Sequence, residues 1–461
     1  MLKVAKFGGS SLADVEQVRK VIGIVRADPA RRIVVVSAPG KRNPSDRKIT
    51  DLLIDCAQAA LAGRSAETAI AAVAGRFGEM ASALGLGDRW AGVVDADLRR
   101  RLAGPRGDGA RFMDVLKAAG EDFCARILAE AFAHEGMPAR YVNPVDAGLR
   151  LSAEPGNAQV LEESYARLAV LRDSPEHVVF PGFFGATRDG AIATLPRGGS
   201  DTTGAVLAAA VGADEYENFT DVDCVYAVDP AIYPQAPPIP LLTYREMREL
   251  SYAGFRVFHD EAVVPAVRAR IPIHIRNTNR PDAVGTRVMA ERPYVAGEVA
   301  GIASAEGFCT IFVDKYLMNR EVGFGRRLLQ ILEEAGLSYE HQPSGMDSVS
   351  TVLRAEQLTP EREARVIARI REELKPDEIS VERGLALIML VGEGMRYTVG
   401  LAARATQALA RAGVNIEMIN QGSSEISLMF GLKDSDHRRA VQALAEEFFG
   451  RRSPRLRRVS V

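Results

Sequence analysis

Val4-Ala5-Lys6-Phe7-Gly8-Gly9-Ser10-Ser11, almost at the start of the chain, decides how the rest is read. An apolar run ends in a lysine and breaks into two glycines and two serines, as a strand does when it enters a tight turn. Glycine has no Cβ, so the turn's N–H groups can close on an anion. Lys6 then projects over the carboxyl end of the sheet, the edge where open α/β sheets hold their ligands; the plainer alternative is a surface lysine on a turn. A second motif, Arg197-Gly198-Gly199-Ser200-Asp201-Thr202-Thr203, opens a helical pattern of small residues. It packs a cation, flexible backbone, a hydroxyl and an anion into five residues, whereas a helix cap would need only Asp201. We read the pair as two phosphate cradles facing one another.

Working outward, a helix is expected over 13–28, capped by Ser11 and closed by Pro29. Ile33-Val34-Val35-Val36 is a β-branched run suited to a strand buried on both faces. Helical patterns follow at 49–62, 65–84 and 111–135, with strands at 138–142, 177–181, 214–219 and 272–275. Their alternation implies an α/β domain with a mostly parallel sheet. The five prolines between 229 and 240 mark an irregular surface loop. Near Glu291-Arg292-Pro293 the pattern lapses, and a domain boundary is placed there.

Beyond it lies a weak internal repeat. The first copy reads as strand 310–313, helix 323–335, strands 338–342 and 348–353, and helix 360–374. The second reads as strand 385–391, helix 400–412, strands 414–419 and 425–430, and helix 435–449. Gly336 and Gly413 stop the first helix of each copy.

The 461 residues carry 58 basic and 60 acidic side chains, a balance that gives no electrostatic case for nucleic acid or membrane. The basic tail (Arg451, Arg452, Arg455, Arg457, Arg458) reads as a solvated strand edge. Cys56, Cys124, Cys224 and Cys309 are too scattered for a zinc site or a disulfide framework, which fits reduced thiols in a cytoplasm. No signal peptide is visible, and 204–213 is too short to span a bilayer. Gly40-Lys41 is followed by arginine, so there is no Walker A motif; nor is there a GxGxxG after a strand or an HExxH. Thr220-Asp221-Val222-Asp223, with Tyr226 and Asp229-Pro230 behind it, suits a nucleotide's base and ribose, or is simply a polar turn. Glu121 within its helical pattern would, without context, be a solvated residue. The histidines, His259 and His274 included, are assigned no chemistry.

Taken in order, Lys6-Phe-Gly-Gly-Ser-Ser, Gly120-Glu121, Arg197-Gly-Gly-Ser-Asp201 and Thr220-Asp221-Val222 resemble the aspartate kinases of the amino-acid kinase superfamily. The tandem repeat resembles that family's paired ACT domains. Glu249-Leu-Ser-Tyr-Ala-Gly254, Met318-Asn319-Arg-Glu-Val-Gly323 and Pro343-Ser344-Gly345-Met346-Asp347 extend the likeness over essentially the whole chain. The resemblance implies a three-layer amino-acid kinase domain over 1–292 and two ACT-like βαββαβ modules over 299–378 and 379–461. It implies ATP-dependent phosphorylation of the aspartate β-carboxylate, with ATP and Mg²⁺ as cofactors and no protein metal site, in a feedback-regulated, cytoplasmic homodimer or larger homo-oligomer.

By position, Lys6 and Asp201 would be catalytic. Ser37 and Thr50 would take the substrate's side-chain carboxylate, Glu121 its ammonium and Arg197 its α-carboxylate, with Ser200 in the same set. Gly8, Gly9, Ser10, Thr220, Asp221, Tyr226 and Asp229 would meet the nucleotide. Met318, Asn319, Glu321, Gly323, Ser344, Asp347 and Ser348 would bind an amino-acid effector such as lysine or threonine. Ala231, Arg256 and Asp260 depart from the family's usual residues and bear on nucleotide contacts. The basic loop 39–48 either meets phosphate or faces water, and we favour phosphate. A kinase of another acidic substrate in specialised metabolism and a non-catalytic amino-acid sensor are the alternatives.

Overall fold

Side chains alternate across a strand, and the first two apolar runs divide accordingly. In β1 (Lys3–Phe7) and β2 (Arg31–Val36), Ala5, Phe7, Val34 and Val36 join one apolar cluster, while the equally buried Val4, Ile33 and Val35 lie outside it. The computed structural model describes residues 1–255, 260–422 and 424–450. Arg256, His259 and the arginines of the C-terminal tail lie outside the described residues, as does the side chain of Asp260.

The first cluster is closed by α1 (Val15–Ala27), α2 (Ile49–Leu61), α3 (Glu67–Ala83), α4 (Arg89–Leu102), α5 (Gly109–Lys117) and α6 (Ala119–His134). Then come β3 (Ala139–Tyr141), α7 (Pro144–Ala147), α8 (Glu163–Leu168), β4 (His177–Pro181) and the hairpin of β5 (Phe184–Ala186) with β6 (Ile192–Thr194). Helix α9 (Gly199–Val211) packs on β1, β2 and β7 (Glu215–Thr220). The short β8 (Val225–Tyr226) and β9 (Pro238–Ile239), then β10 (Leu241–Thr243), α10 (Tyr244–Tyr252), α11 (Val264–Arg268), β11 (Ile273–Asn277) and β12 (Thr286–Met289) complete this half. The eight-stranded sheet runs β10-β12-β11-β7-β1-β2-β4-β3. All its neighbours are parallel except β11 and β12, so the sheet is mostly parallel, as the alternation of elements requires.

The chain divides into two compact units. The second comprises residues 226–237, 248–255 and 293 onward, and the first the remainder. In the second, β13 (Gly301–Asp314), α12 (Phe324–Glu334), β14 (Ser348–Arg354), α13 (Pro360–Leu374), β15 (Glu378–Val391), α14 (Leu401–Arg411), β16 (Met418–Asn420), β17 (Ser427–Lys433) and α15 (His437–Phe449) follow the order of the repeat. They form one antiparallel sheet, β14-β13-β15-β17-β16. β13 and β15 pair from Gly301↔Val391 to Asp314↔Glu378, interrupted only near Ala305 and Phe308. Gly307 (φ 86°) and Gly384 (φ 79°) hold left-handed backbone at that irregularity, which glycine adopts without strain. One half of β13 therefore packs with β14, α12 and α13. The other pairs with the stretch of β15 that also bonds β17.

Four local expectations fail. Ser11 does not cap α1. A 3₁₀ turn (Gly9–Leu12) intervenes, Asp14 accepts the Gln17 N–H at 2.9 Å, and the Ser11 hydroxyl is buried against Thr278 Oγ1 at 2.7 Å. The helix expected over 111–135 is two, meeting at Ala118. α4 went unseen because arginines surround its buried Trp90, Val94 and Leu98. Residues 338–342 pair with β14 by a single backbone bridge, His341↔Val352, rather than as a strand.

Candidate active site

Strand alternation places Lys6 on the face that α9 covers. Its Nζ lies 2.6 Å from Asp201 Oδ1, and both side chains are largely buried. Asp201 is no cap: α9 starts from Gly198, held at φ 83°, and Asp201 is its third residue. The parallel register sets Asn218 beside Lys6. Asn218 Nδ2 donates to the same Asp201 oxygen at 2.6 Å, and the Tyr216 hydroxyl donates to the Asp201 carbonyl at 3.1 Å. Burial, then the nearby Asp201 charge, holds the Tyr216 phenol well above its usual range, so it remains a neutral donor.

Around this pair opens a cleft of about 640 Å³. Gly8, Gly9 and Ser10 form one wall, Gly198, Gly199 and Ser200 another, and Ser37, Thr50, Glu121 and Asp221 complete what the sequence brought forward. The glycines are there for closeness. A Cβ on Gly9 would stand 2.9 Å from the Ala38 carbonyl, and one on Gly199 2.8 Å from both Leu195 Cβ and Phe183 Cδ2.

Glu121 lies in the first turn of α6 and is 5% exposed. Its helix approaches so closely because residue 120 is glycine: a Cβ there would be 2.8 Å from Ala38 Cβ. Burial pushes the Glu121 carboxyl up to about 8, against the opposing pull of the Ala38 and Glu121 N–H groups and of Lys117. Its Oε2 has no hydrogen-bond partner. An orphaned buried acceptor in a cleft wall is a place for a cation or donor to land.

Other expected residues sit apart. Arg197 is exposed just ahead of α9 and is not part of the cleft lining. Thr220 Oγ1 donates to Asp221 Oδ1 at 3.1 Å. Tyr226 and Asp229 belong to the second unit. There Asp229 closes a turn by accepting the Ala231 N–H at 2.9 Å, and α15 holds residues 231–233. Arg438 donates to the Ala231 carbonyl at 2.8 Å, Gln442 to that of Ile232 at 3.2 Å, and Tyr233 donates to Glu446 at 3.0 Å. The proline-rich loop is thus tied down, with Ile232 and Ala236 buried.

The proposed effector residues gather at the β13–α12 turn. Gly323 begins α12 at φ 82°, and Leu317, at φ 61°, gives its N–H to Asp347 Oδ1 at 2.8 Å. Asn319 N–H bonds the Met346 carbonyl at 3.1 Å, and Ser344 bridges to Val349 beside Ser348. Met318 is buried, whereas Val322 and Met346 are 99% and 68% exposed. Glu321 is already paired with Lys315 and Arg327. Those two neighbours hold its carboxyl below the usual range.

Ala38 and Phe183 escaped the sequence reading, whereas Gly40, Lys41 and Lys48 belong to the basic loop that it favoured for phosphate. Phe183 holds φ 75°, a strained conformation worth about 1–3 kcal/mol for a non-glycine residue. The Thr203 hydroxyl takes its N–H at 3.0 Å, and its carbonyl accepts from Leu195 at 2.8 Å. No sequence pattern announces such a residue.

Among the described residues, Glu215, Glu217 and His274 alone cluster like metal ligands. Lys3 at 3.2 Å from Glu215, and Arg31 and Arg276 at 2.5 and 2.8 Å from Glu217, already neutralise them, so the trio is a buried ion network. All four cysteines are free and buried. Among the described residues no helix is long and apolar enough to cross a membrane.

Comparison with known proteins places nearly the whole chain beside proteins of known activity. Residues 1–277 match the amino acid kinase family and residues 388–448 the ACT domain. Aspartokinase 3 of Bacillus subtilis is 55% identical over 448 residues, covering 97% of this chain and 99% of that one. The crystal structure of Clostridium acetobutylicum aspartate kinase superposes with a TM-score of 0.83 at 36% identity, covering 97% of this chain and 99% of its own. Aspartokinase III of E. coli, solved with aspartate and ADP and separately with lysine and aspartate, gives TM-scores of 0.77 and 0.75 at 25% identity, with 97% and 99% covered in both cases.

Proposed function

The chain belongs to the amino acid kinase family, among its aspartokinases, and on that premise we propose how its own residues carry the reaction. It phosphorylates aspartate at the expense of ATP, and amino-acid feedback regulates it. The observation that carries the reading is the Lys6–Asp201 contact of 2.6 Å, set between two glycine turns and across the cleft from an orphaned Glu121 oxygen.

A carboxylate is already a competent nucleophile at neutral pH, so transfer of the γ-phosphoryl group to the β-carboxylate needs no general base. The protein contributes position and charge. Lys6 neutralises charge spreading over the transferred group, and Asp201 with Asn218 fixes the lysine's reach. Gly8, Gly9 and Ser10 offer N–H groups to the phosphates. Ser37 and Thr50 take the side-chain carboxylate, with Ser200 beside it at the α9 N-terminus. Glu121 Oε2 accepts the ammonium, and exposed Arg197 turns in to the α-carboxylate. Thr220, Asp221, Tyr226 and Asp229 serve the nucleotide. Mg²⁺, carried on the triphosphate, would add further neutralising charge. Asp221, an exposed oxygen donor on the cleft wall, is the side chain suited to its shell of oxygen ligands.

The modules over 299–378 and 379–461 bind the effector, lysine by analogy with the E. coli enzyme, at Met318, Asn319, Gly323, Ser344, Asp347 and Ser348, with Glu321 organising the turn. Exposed Val322 and Met346 beside that turn suit a homodimer joined through these modules, which sedimentation at micromolar concentration checks. The decisive experiment is a coupled ADP-release assay across aspartate, glutamate and related acids. Turnover with aspartate above the others is expected, and ADP release with none of them would overturn the reading.

A further inference from the structure

The loop from Pro39 to Lys48 is held from behind by one buried side chain that no part of the mechanism uses. Arg76, on α3, is 9% exposed. Its guanidinium donates to three carbonyls: Arg47 at 2.7 Å, Gly40 at 2.8 Å and Ala13 at 3.1 Å. These belong to the two ends of the loop and to the segment just after the first glycine turn. Asp46, also in the loop, sits 3.5 Å away and accepts the Arg42 N–H at 3.0 Å and the Arg42 Nε at 2.9 Å. The bound loop presses on the cradle itself: Gly40 N–H donates to the Gly9 carbonyl at 2.8 Å, and a Cβ on Gly40 would meet Gly9 at 2.8 Å. At the loop's two ends Lys41 and Lys48 line the same cleft as Lys6. Both are exposed, and neither forms an ion pair among the described residues.

A buried arginine whose fork is spent on backbone carbonyls sets geometry, because each planar N–H has one direction in which to donate. Two unpaired ammonium groups beside an anion cradle have an obvious counterpart in a phosphate.

We propose that Arg76 is a positioning residue for phosphoryl transfer, tying loop 39–48 against Gly9 so that Lys41 and Lys48 contact the nucleotide's phosphates. The proposal rests on the kinase reading above and deepens it, since it names what seats the phosphate side of that site.

The test uses the full-length enzyme, with initial rates at varied ATP and varied aspartate, over a range of salt, beside thermal melting. Lys41→Ala with Lys48→Ala, both exposed, should leave melting unchanged. They should raise the ATP KM by about tenfold and flatten its salt dependence, as loss of charge-assisted contacts requires. The aspartate KM should move much less. Arg76→Lys keeps the charge and loses the fork, and should reproduce the ATP defect. Combined with the lysine substitutions it should add little, because the residues act as one unit. Where Arg76→Lys fails to fold, Asp46→Asn releases the same loop from its own side and must give the same ATP-selective change. An ATP KM within about twofold of wild type in the lysine double variant overturns the proposal, as does full additivity with Arg76→Lys. A wild-type enzyme inactive on aspartate would instead sink the kinase reading, so the two failures are distinguishable.

Discussion

Lys6 and Asp201 meet at 2.6 Å because a strand and a helix far apart in sequence turn them toward one another. The contact leaves the lysine one geometry. Lys6→Met should fold, since the side chain is buried among packed groups, yet lose at least about tenfold in kcat, its charge mattering most as the phosphoryl group leaves ATP. Lys6→Arg should not restore the rate: a Cβ at Gly8 would already lie 3.4 Å from Nζ, which leaves no room for a planar fork. The coupled assay with a melting curve checks both.

On the proposed reading, Glu121 should make aspartate binding depend on pH. Its carboxyl is pushed up to about 8 by burial, so below that pH the empty site holds a neutral acid. An ammonium ligand favours the charged form, so binding must expel a proton. The aspartate KM should therefore fall as pH rises from 6.5 toward about 8 and then level off. Glu121→Gln should flatten the profile. Calorimetry in buffers of different ionisation enthalpy should detect the released proton in wild type alone.

The proposed site reads both ends of aspartate by charge. Glu121→Ala and Arg197→Ala should each raise the aspartate KM by roughly one to two decades while the ATP KM stays near wild type, the value of one charge-assisted contact. Equal shifts for both substrates would mean that the two residues hold structure instead.

Gly120 is a packing requirement. Gly120→Ala would put a methyl 2.8 Å from Ala38 Cβ and 3.2 Å from Ile49 Cγ2. Overpacking there should cost about 1–3 kcal/mol and push α6 from the cleft. A lowered denaturation midpoint together with a raised aspartate KM is the expected result.

In the first regulatory module Asp347 accepts the Leu317 N–H at 2.8 Å, where the chain turns through left-handed backbone. Asp347→Ala should relieve inhibition by lysine or threonine with little change in uninhibited kcat, for a coupling of about 1–3 kcal/mol. Activity against rising effector at fixed aspartate, in wild type and variant, checks this. A wild type indifferent to both amino acids would leave the modules a dimerisation platform only.

Much of this was legible in the chain because backbone and charge announce themselves locally. The β-branched run before Ser37 reads as a buried strand, and the first glycine turn closes an apolar strand. Glu121 was different. Its sequence neighbourhood reads as a solvated helix, and only the approach of Gly120 to Ala38 buries it. Phe183 and Arg76 depend on contacts between distant segments, which periodicity does not encode. The second strand of the first repeat failed to form although its residues suit one, since a single bridge to Val352 is all that pairs it. β13 and β15 outran the expected strands because each pairs along its whole length with the other, a partnership between segments distant in sequence.

Those two strands also say where this protein can be divided. Each runs through both repeats, and each repeat borrows half of its partner strand. A cut at the boundary the sequence suggests, between 378 and 379, would leave two fragments with torn sheets and sticky edges. A cut ahead of Gly301 would keep the five-stranded sheet whole, parting it only from residues 226–237 and 248–255 of the same unit. Gene fusion and fission in such a lineage would be confined to that upstream point, and the two repeats would have to be inherited, lost or exchanged together.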